Sequence, residues 1–190
     1  MLKKRIVLAS NSPRRIALLK SLGYSFDIIP HRIEESIFHD ILPTDLAQHL
    51  AFIKARDVSK RVDNAIIIAA DTLIVYGNGI LGKPKDTRDA KWMLSILQGS
   101  GHEIISGVCI LEVPSGKKML RFGRTHIKIK GITEKEIDEY VRTGEPLDKA
   151  GAYAVQGEGR KFVEKIEGSY SNAVGLPLEI VKKMINFFIE

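Results

Sequence analysis

Cysteine is almost absent: Cys109 is the only one in 190 residues. No disulfide can close within the chain, and a reducing cytoplasm is the compartment that fits. Val108 and Ile110 on either side place that thiol in a buried strand. Long hydrophobic runs are missing too. Lys3-Lys4-Arg5 precedes only four apolar residues before Ser10, too few for a signal-peptide core, and no stretch approaches membrane-spanning length. Neither a Ser-His-Asp order nor a Walker phosphate loop occurs, and none of the five histidines has a cysteine or histidine partner at ligand spacing. Acid is the scarcer charge, with 23 Asp and Glu against 29 Lys and Arg, a net +6 that suits a polyanionic partner without requiring nucleic acid.

What is present is a soluble globular composition, 44% hydrophobic and 27% charged. Repeats, low-complexity tracts and linkers are absent, so residues 1–190 read as a single domain whose division into lobes has no marker in the sequence. The chain is organised around Leu8-Ala9-Ser10-Asn11-Ser12-Pro13-Arg14-Arg15. Ile6 to Ala9 is a short apolar run of the kind that forms a buried strand, and Ile16-Ala17-Leu18-Leu19 begins an amphipathic helix. Between them Asn11 or Ser12 can cap the helix, and Pro13 suits its first position. The free N–H groups of such a turn attract anions, and Arg14 and Arg15 add planar cations that match phosphate oxygens. An ordinary capped surface helix with two solvated arginines is the alternative.

After Gly23, Tyr24 to Ile29 reads as a second strand. His31 to Pro43 is irregular and carries Glu34, Glu35, His39 and Asp40, a length of loop that is often functional. Thr44 is a candidate cap for a helix with the apolar stripe Leu46, Leu50, Ile53, on which Lys54 and Arg56 read as solvated charges. In Ala65 to Val75 the apolar run Ile66 to Ala70 marks a strand buried on both faces, and Asp71-Thr72 interrupts that run before Leu73-Ile74-Val75 resumes it. A carboxylate inside such a run is costly unless it meets a cation or donors. A turn at Gly77 to Gly79 leads to Lys83 in the charged loop Leu81 to Asp86. A helix follows with Ala90, Met93, Leu94 and Leu97, then two strands, Glu103–Glu112 and Lys118–Lys130, paired antiparallel in a mixed sheet. In the second, Arg124, His126, Lys128 and Lys130 alternate with Thr125, Ile127 and Ile129. A solvated sheet face is the expected meaning of that row, and RNA or DNA binding the lesser one. Thr133 to Glu136 is a capping box. Asp148 to Gly159 is a glycine-punctuated loop whose one amide is Gln156; its glycines would let a flat ligand approach the backbone, and a surface hairpin is the alternative. A strand at Phe162–Ile166 and a terminal helix at Leu176–Phe188 complete the chain. Cations and carboxylates at strand ends and loops together match a site for a nucleoside triphosphate and Mg²⁺.

The sequence resembles the Maf-type nucleoside triphosphate pyrophosphatases, once described as septum-formation inhibitors. The matching stretches run nearly end to end: Leu8-Ala9-Ser10 with Ser12-Pro13-Arg14-Arg15, Ala70-Asp71-Thr72, Gly82-Lys83-Pro84, Glu145 through Tyr153, Gln156-Gly157, and Gly168-Ser169-Tyr170 through Pro177. The resemblance implies an α/β, ITPase-like fold, a mixed central sheet flanked by helices with two lobes around a substrate cleft. It also implies hydrolysis between the α and β phosphates to a monophosphate and pyrophosphate, with a divalent metal, Mg²⁺ or Mn²⁺. The Ser-Pro-Arg-Arg form with the glutamine loop looks like the branch acting on dTTP and UTP rather than the one preferring 7-methyl-GTP. By the same resemblance Asp71 is the catalytic acid, activating water directly or through the metal, and Glu35 shares that metal. Ser10, Arg14, Arg15, Lys54 and Lys83 match groups that hold the triphosphate, with Lys83 counted among the catalytic residues. Thr72 and Gln156, with Arg14, match positions linked to choice of nucleotide. A glutamine amide can pair with the edge that uracil and thymine share and cytosine lacks. Homodimerisation is a family-level expectation. The rival readings are a house-cleaning pyrophosphatase for modified nucleotides and a nucleotide- or nucleic-acid-binding regulator of cell division.

Overall fold

The computed structural model describes residues 4–33 and 41–189. Glu34, Glu35, His39 and Asp40 of the irregular segment lie outside the described residues. The elements are β1 (Arg5–Leu8), α1 (Pro13–Ser21), β2 (Asp27–Ile28), α2 (Pro43–Ser59), β3 (Ala65–Tyr76), β4 (Gly79–Leu81), α3 (Thr87–Leu97), β5 (Gly101–Val113), β6 (Lys118–Ile129), α4 (Glu134–Arg142), three 3-10 turns between Glu145 and Phe162, β7 (Val163–Gly168), α5 (Tyr170–Val174) and α6 (Leu178–Ile189). Strand order is β2-β1-β3-β5-β6-β7, with β4 paired to β3. β1 is parallel to β2 and β3, whereas β3–β4 and β6–β7 are antiparallel, so the sheet is mixed. No helix among the described residues is long and apolar enough to cross a membrane.

The chain divides into two compact units, and β3, β5 and β6 contribute residues to both. The first comprises Met1–Thr72, Ser106–Gly123 and Gly175–Glu190. Its strands are buried on both faces, as the uninterrupted apolar runs require. Ile6, Leu8, Ile66 and Ile68 pack with Leu19 of α1 and with Val181, Met184 and Ile185 of α6. Their sequence neighbours Val7, Ala9, Ile67 and Ala69 pack with Ala51, Ala55 and Val58 of α2. That alternation is the two-residue period of a strand meeting a helix on either side. Cys109 belongs to the α2 side and is fully buried. Burial pushes its thiol up to about 12, although Lys118 opposes the shift. Gly107 of β5 lies against the main chain of Ala47, and a Cβ there would overlap that backbone.

The second unit comprises Leu73–Ile105 and Arg124–Val174. Ile74, Leu94, Leu97, Ile127, Tyr140 and Phe162 are among its core. The expected row on β6 alternates as anticipated: Arg124, His126 and Lys128 are exposed and Thr125, Ile127 and Ile129 buried. Its cations are partly neutralised, with Arg124 paired to Glu103 at 3.4 Å and Lys128 to Glu164 at 2.8 Å.

Several local expectations are corrected. Thr44 does not cap α2, which opens at Pro43 with no side-chain cap, because a proline at the first position already sets the backbone angle. Ile53 is only half-buried, and the inward face of α2 runs Leu46, Leu50, Lys54, Val58. The reading of Ala65 to Val75 as one stretch holds, since β3 runs unbroken through the polar pair Asp71-Thr72. The second strand is only two residues long, and Leu176 precedes the terminal helix rather than starting it. Residues 151–155 are buried rather than forming a surface hairpin.

Candidate active site

In the first unit β1 delivers the chain to the turn from Ser10 to Pro13. Ala9 N–H donates to the Ile68 carbonyl at 2.8 Å, and the parallel register pairs Leu8, two residues before Ser10, with Ile68, three residues before Asp71. Ser10 is buried, and its Oγ accepts from the Ser12 N–H at 3.1 Å, which folds the turn back on itself. Ser12 is the N-cap of α1, its side chain accepting from the Arg15 N–H, and Pro13 is the first helical residue. Arg14 is half-buried and makes no hydrogen bond or ion pair among the described residues.

Asp71 and Lys54 form a buried ion pair. Lys54 Nζ stands 2.5 Å from Asp71 Oδ1, and the residues are 1% and 4% exposed. The reading of Lys54 as a solvated helix charge is therefore wrong. The lysine lies on the apolar face of α2 because Asp71, 17 positions later, is there to receive it.

Arg15 and Thr72 are also brought together. Arg15 Nε donates to the Gly175 carbonyl at 2.9 Å and Nη2 to Thr72 Oγ1 at 3.1 Å, so this guanidinium is held by the protein itself. Thr72 Oγ1 also lies 3.0 Å from the hydroxyl of Ser106, which is fully buried. Ser106 is a member of this cluster that the sequence reading missed. One serine in the apolar run of β5 was the available signal.

Lys83 and Gln156 belong to the second unit, and both are exposed. They share a frame, because Gly151 N–H donates to the carbonyl of Gly82 at 3.0 Å and so ties the glycine loop to the residue before Lys83. A further buried contact in this unit joins His102 Nε2 and the Tyr153 hydroxyl at 2.7 Å. Burial, reinforced by the charge of His126, lowers the His102 pKa to about 4.

Among the described residues no three His, Cys, Asp or Glu side chains cluster to hold a metal ion. Mg²⁺ does not need such a cage, since it is commonly held by one or two carboxylates with the rest of its shell from water and substrate phosphates. Asp71 fits that donor set, because Oδ1 is engaged by Lys54 while Oδ2 accepts no bond from a described residue.

A family model described as Maf-like protein matches residues 5–188. The chain is 47% identical over 176 residues to a dTTP/UTP pyrophosphatase of Alkaliphilus metalliredigens, covering 92% of this chain and 91% of the relative. It is 44% identical over 186 residues to the dTTP/UTP pyrophosphatase of Dictyoglomus thermophilum, covering 97% and 96%. A protein of the same description from Bdellovibrio bacteriovorus is 40% identical over 192 residues, covering 98% and 100%.

Proposed function

The chain belongs to the Maf-like protein family, and from that premise we propose that it is a nucleoside triphosphate pyrophosphatase that hydrolyses dTTP and UTP to the monophosphate and pyrophosphate. The observation that carries the chemistry is the Lys54–Asp71 pair: a carboxylate kept in a dry strand by one cation, with its second oxygen uncommitted. In this reading Asp71 Oδ2 activates the water that attacks the α-phosphate, either by accepting its proton or by holding the metal that acidifies it, and pyrophosphate leaves. Lys54 balances the carboxylate charge and fixes its rotamer. Arg14, the uncommitted arginine at the start of α1, meets phosphate oxygens together with the N-terminal turn. Ser10 shapes that turn, and Arg15 holds Thr72 rather than reaching freely for phosphate. Lys83 supplies a further cation, and Gln156 reads the edge common to uracil and thymine.

A divalent cation, Mg²⁺ or Mn²⁺, held by Asp71 and the triphosphate, with Glu35 as a second acid, would neutralise phosphate charge and acidify water. The regulator reading loses support from the ion pairs along β6, which leave its basic row less free to meet a nucleic acid.

The test is pyrophosphate release with Mg²⁺ or Mn²⁺ over dTTP, UTP, CTP, dATP, GTP, 7-methyl-GTP and modified pyrimidine triphosphates, beside Asp71→Asn. Selective hydrolysis of dTTP and UTP that the variant loses supports the proposal. A faster rate on the modified pyrimidines moves it to the house-cleaning enzyme, and no release by folded protein removes it.

A further inference from the structure

Glu145 follows Gly144, whose φ of +78° turns the chain after α4. Its carboxylate is saturated by donors from inside the second unit. Oε1 accepts from the Tyr140 hydroxyl at 2.9 Å and from the Gly159 N–H at 3.2 Å, and Oε2 accepts from the Glu158 N–H at 3.0 Å. Tyr140, fully buried, accepts in turn from the Ala154 N–H at 3.2 Å. These main-chain bonds bracket Gln156 on both sides, two residues before it and two and three after. The glycines confirm how closely the loop is moulded on the pair. A Cβ at Gly157 would meet the Glu145 carboxylate, and one at Gly159 the Tyr140 hydroxyl. Gly157 also has φ +81°, which side chains larger than glycine rarely adopt. Gln156 itself is exposed, and its amide makes no hydrogen bond among the described residues. An uncommitted amide on a clamped main chain is the arrangement of a reading group, not of a loop that wanders.

We infer that Glu145, together with Tyr140, is a positioning residue for nucleotide selection: it holds the main chain from Ala154 to Gly159 so that the Gln156 amide is presented in one orientation. The inference rests on the reading of Gln156 as the group that meets the base. The three donated bonds hold the Glu145 carboxyl below the ordinary glutamate range, against the opposing effect of its burial, so the acceptor stays ionised at neutral pH.

Glu145→Gln keeps the shape but sets an NH₂ group against a donor, and Tyr140→Phe removes the Ala154 acceptor and one donor to Glu145. The kcat/KM for dTTP and UTP relative to CTP is expected to fall about 10-fold in each, mainly through KM, since the loss is of the order of one or two hydrogen bonds. Amide hydrogen exchange at Glu158 and Gly159 is expected to accelerate in Glu145→Gln. Glu158→Gln, which removes a nearby charge but leaves the clamp, keeps the wild-type ratio. A ratio unchanged in folded Glu145→Gln and Tyr140→Phe while Gln156→Ala lowers it overturns the inference and leaves the reading of Gln156 intact. A ratio unchanged in all three overturns both. A ratio lowered by the clamp variants but not by Gln156→Ala overturns the inference too, because the clamp would then not act through the Gln156 amide.

Discussion

Lys54 Nζ lies 2.5 Å from Asp71 Oδ1, and the two side chains retain only 2% and 5% of their accessible surface. Removing the lysine strands the carboxylate in a dry interior. Lys54→Met should therefore lower stability by about 3–5 kcal/mol, because the carboxylate loses its counter-charge. Pairing it with Asp71→Leu should recover part of that loss, since the carboxylate that would lack a counter-charge is gone. Urea denaturation of the single and double variants measures both effects, and pyrophosphate release should be absent from both.

The adjacent arginines should separate cleanly. Arg15→Ala breaks the bonds to Gly175 and Thr72, so it should destabilise the protein by about 1–3 kcal/mol. Arg14→Ala should stay within about 0.5 kcal/mol of the parent while raising KM about 10-fold, since its side chain is free to meet a ligand. Equal stability loss in the two would show that Arg14 has a structural role after all. Thermal unfolding and Michaelis profiles run on the same preparations decide it.

His102 sets an acid limit. Its pKa is about 4 in the folded protein against an ordinary 6.5, so the unfolded chain takes up the proton first. Stability from this residue is complete above about pH 6.5, falls as pH drops toward 4, and is fully lost below that. The loss should approach about 3 kcal/mol. His102→Leu should flatten urea midpoints between pH 7 and pH 4.5, even though it is less stable at neutral pH for want of the Tyr153 bond.

Chelation should stop catalysis without unfolding the protein. Asp71 is balanced by Lys54, so the fold does not depend on a cation to neutralise its buried carboxylate. EDTA is expected to abolish pyrophosphate release, and Mg²⁺ or Mn²⁺ to restore it, with an unchanged melting temperature throughout. A large drop in melting temperature on chelation would mean that the cation is structural.

Much of this was legible in residue order because it is local. The run Ile66–Ala70 announces a doubly buried strand, Ser12-Pro13 announces the start of α1, and the Thr133–Glu136 box appears with both reciprocal bonds. What stayed hidden depends on partners distant in the chain. A lysine on a helix reads as solvated until Asp71 is placed opposite it, and Ser106 reads as a polar accident in an apolar strand until Thr72 reaches it. Residues 151–155 look like a surface hairpin because small residues and glycines usually mark turns; here they are buried in the second unit's core, with Ala154 bonded to the Tyr140 hydroxyl. Helix α5 is too short to carry a periodic stripe, so it left no trace.

Cys109 offers a practical return. A sole thiol that is fully buried and weakly acidic stays silent toward maleimides and iodoacetamides while the protein is folded, because the reactive thiolate is scarce and sheltered. A second cysteine placed at an exposed position such as Trp92 would therefore take a fluorophore or spin label alone, with no need to remove the native residue from the core. The same silence provides a folding reporter, since labelling of Cys109 records each opening of the layer between α2 and the sheet.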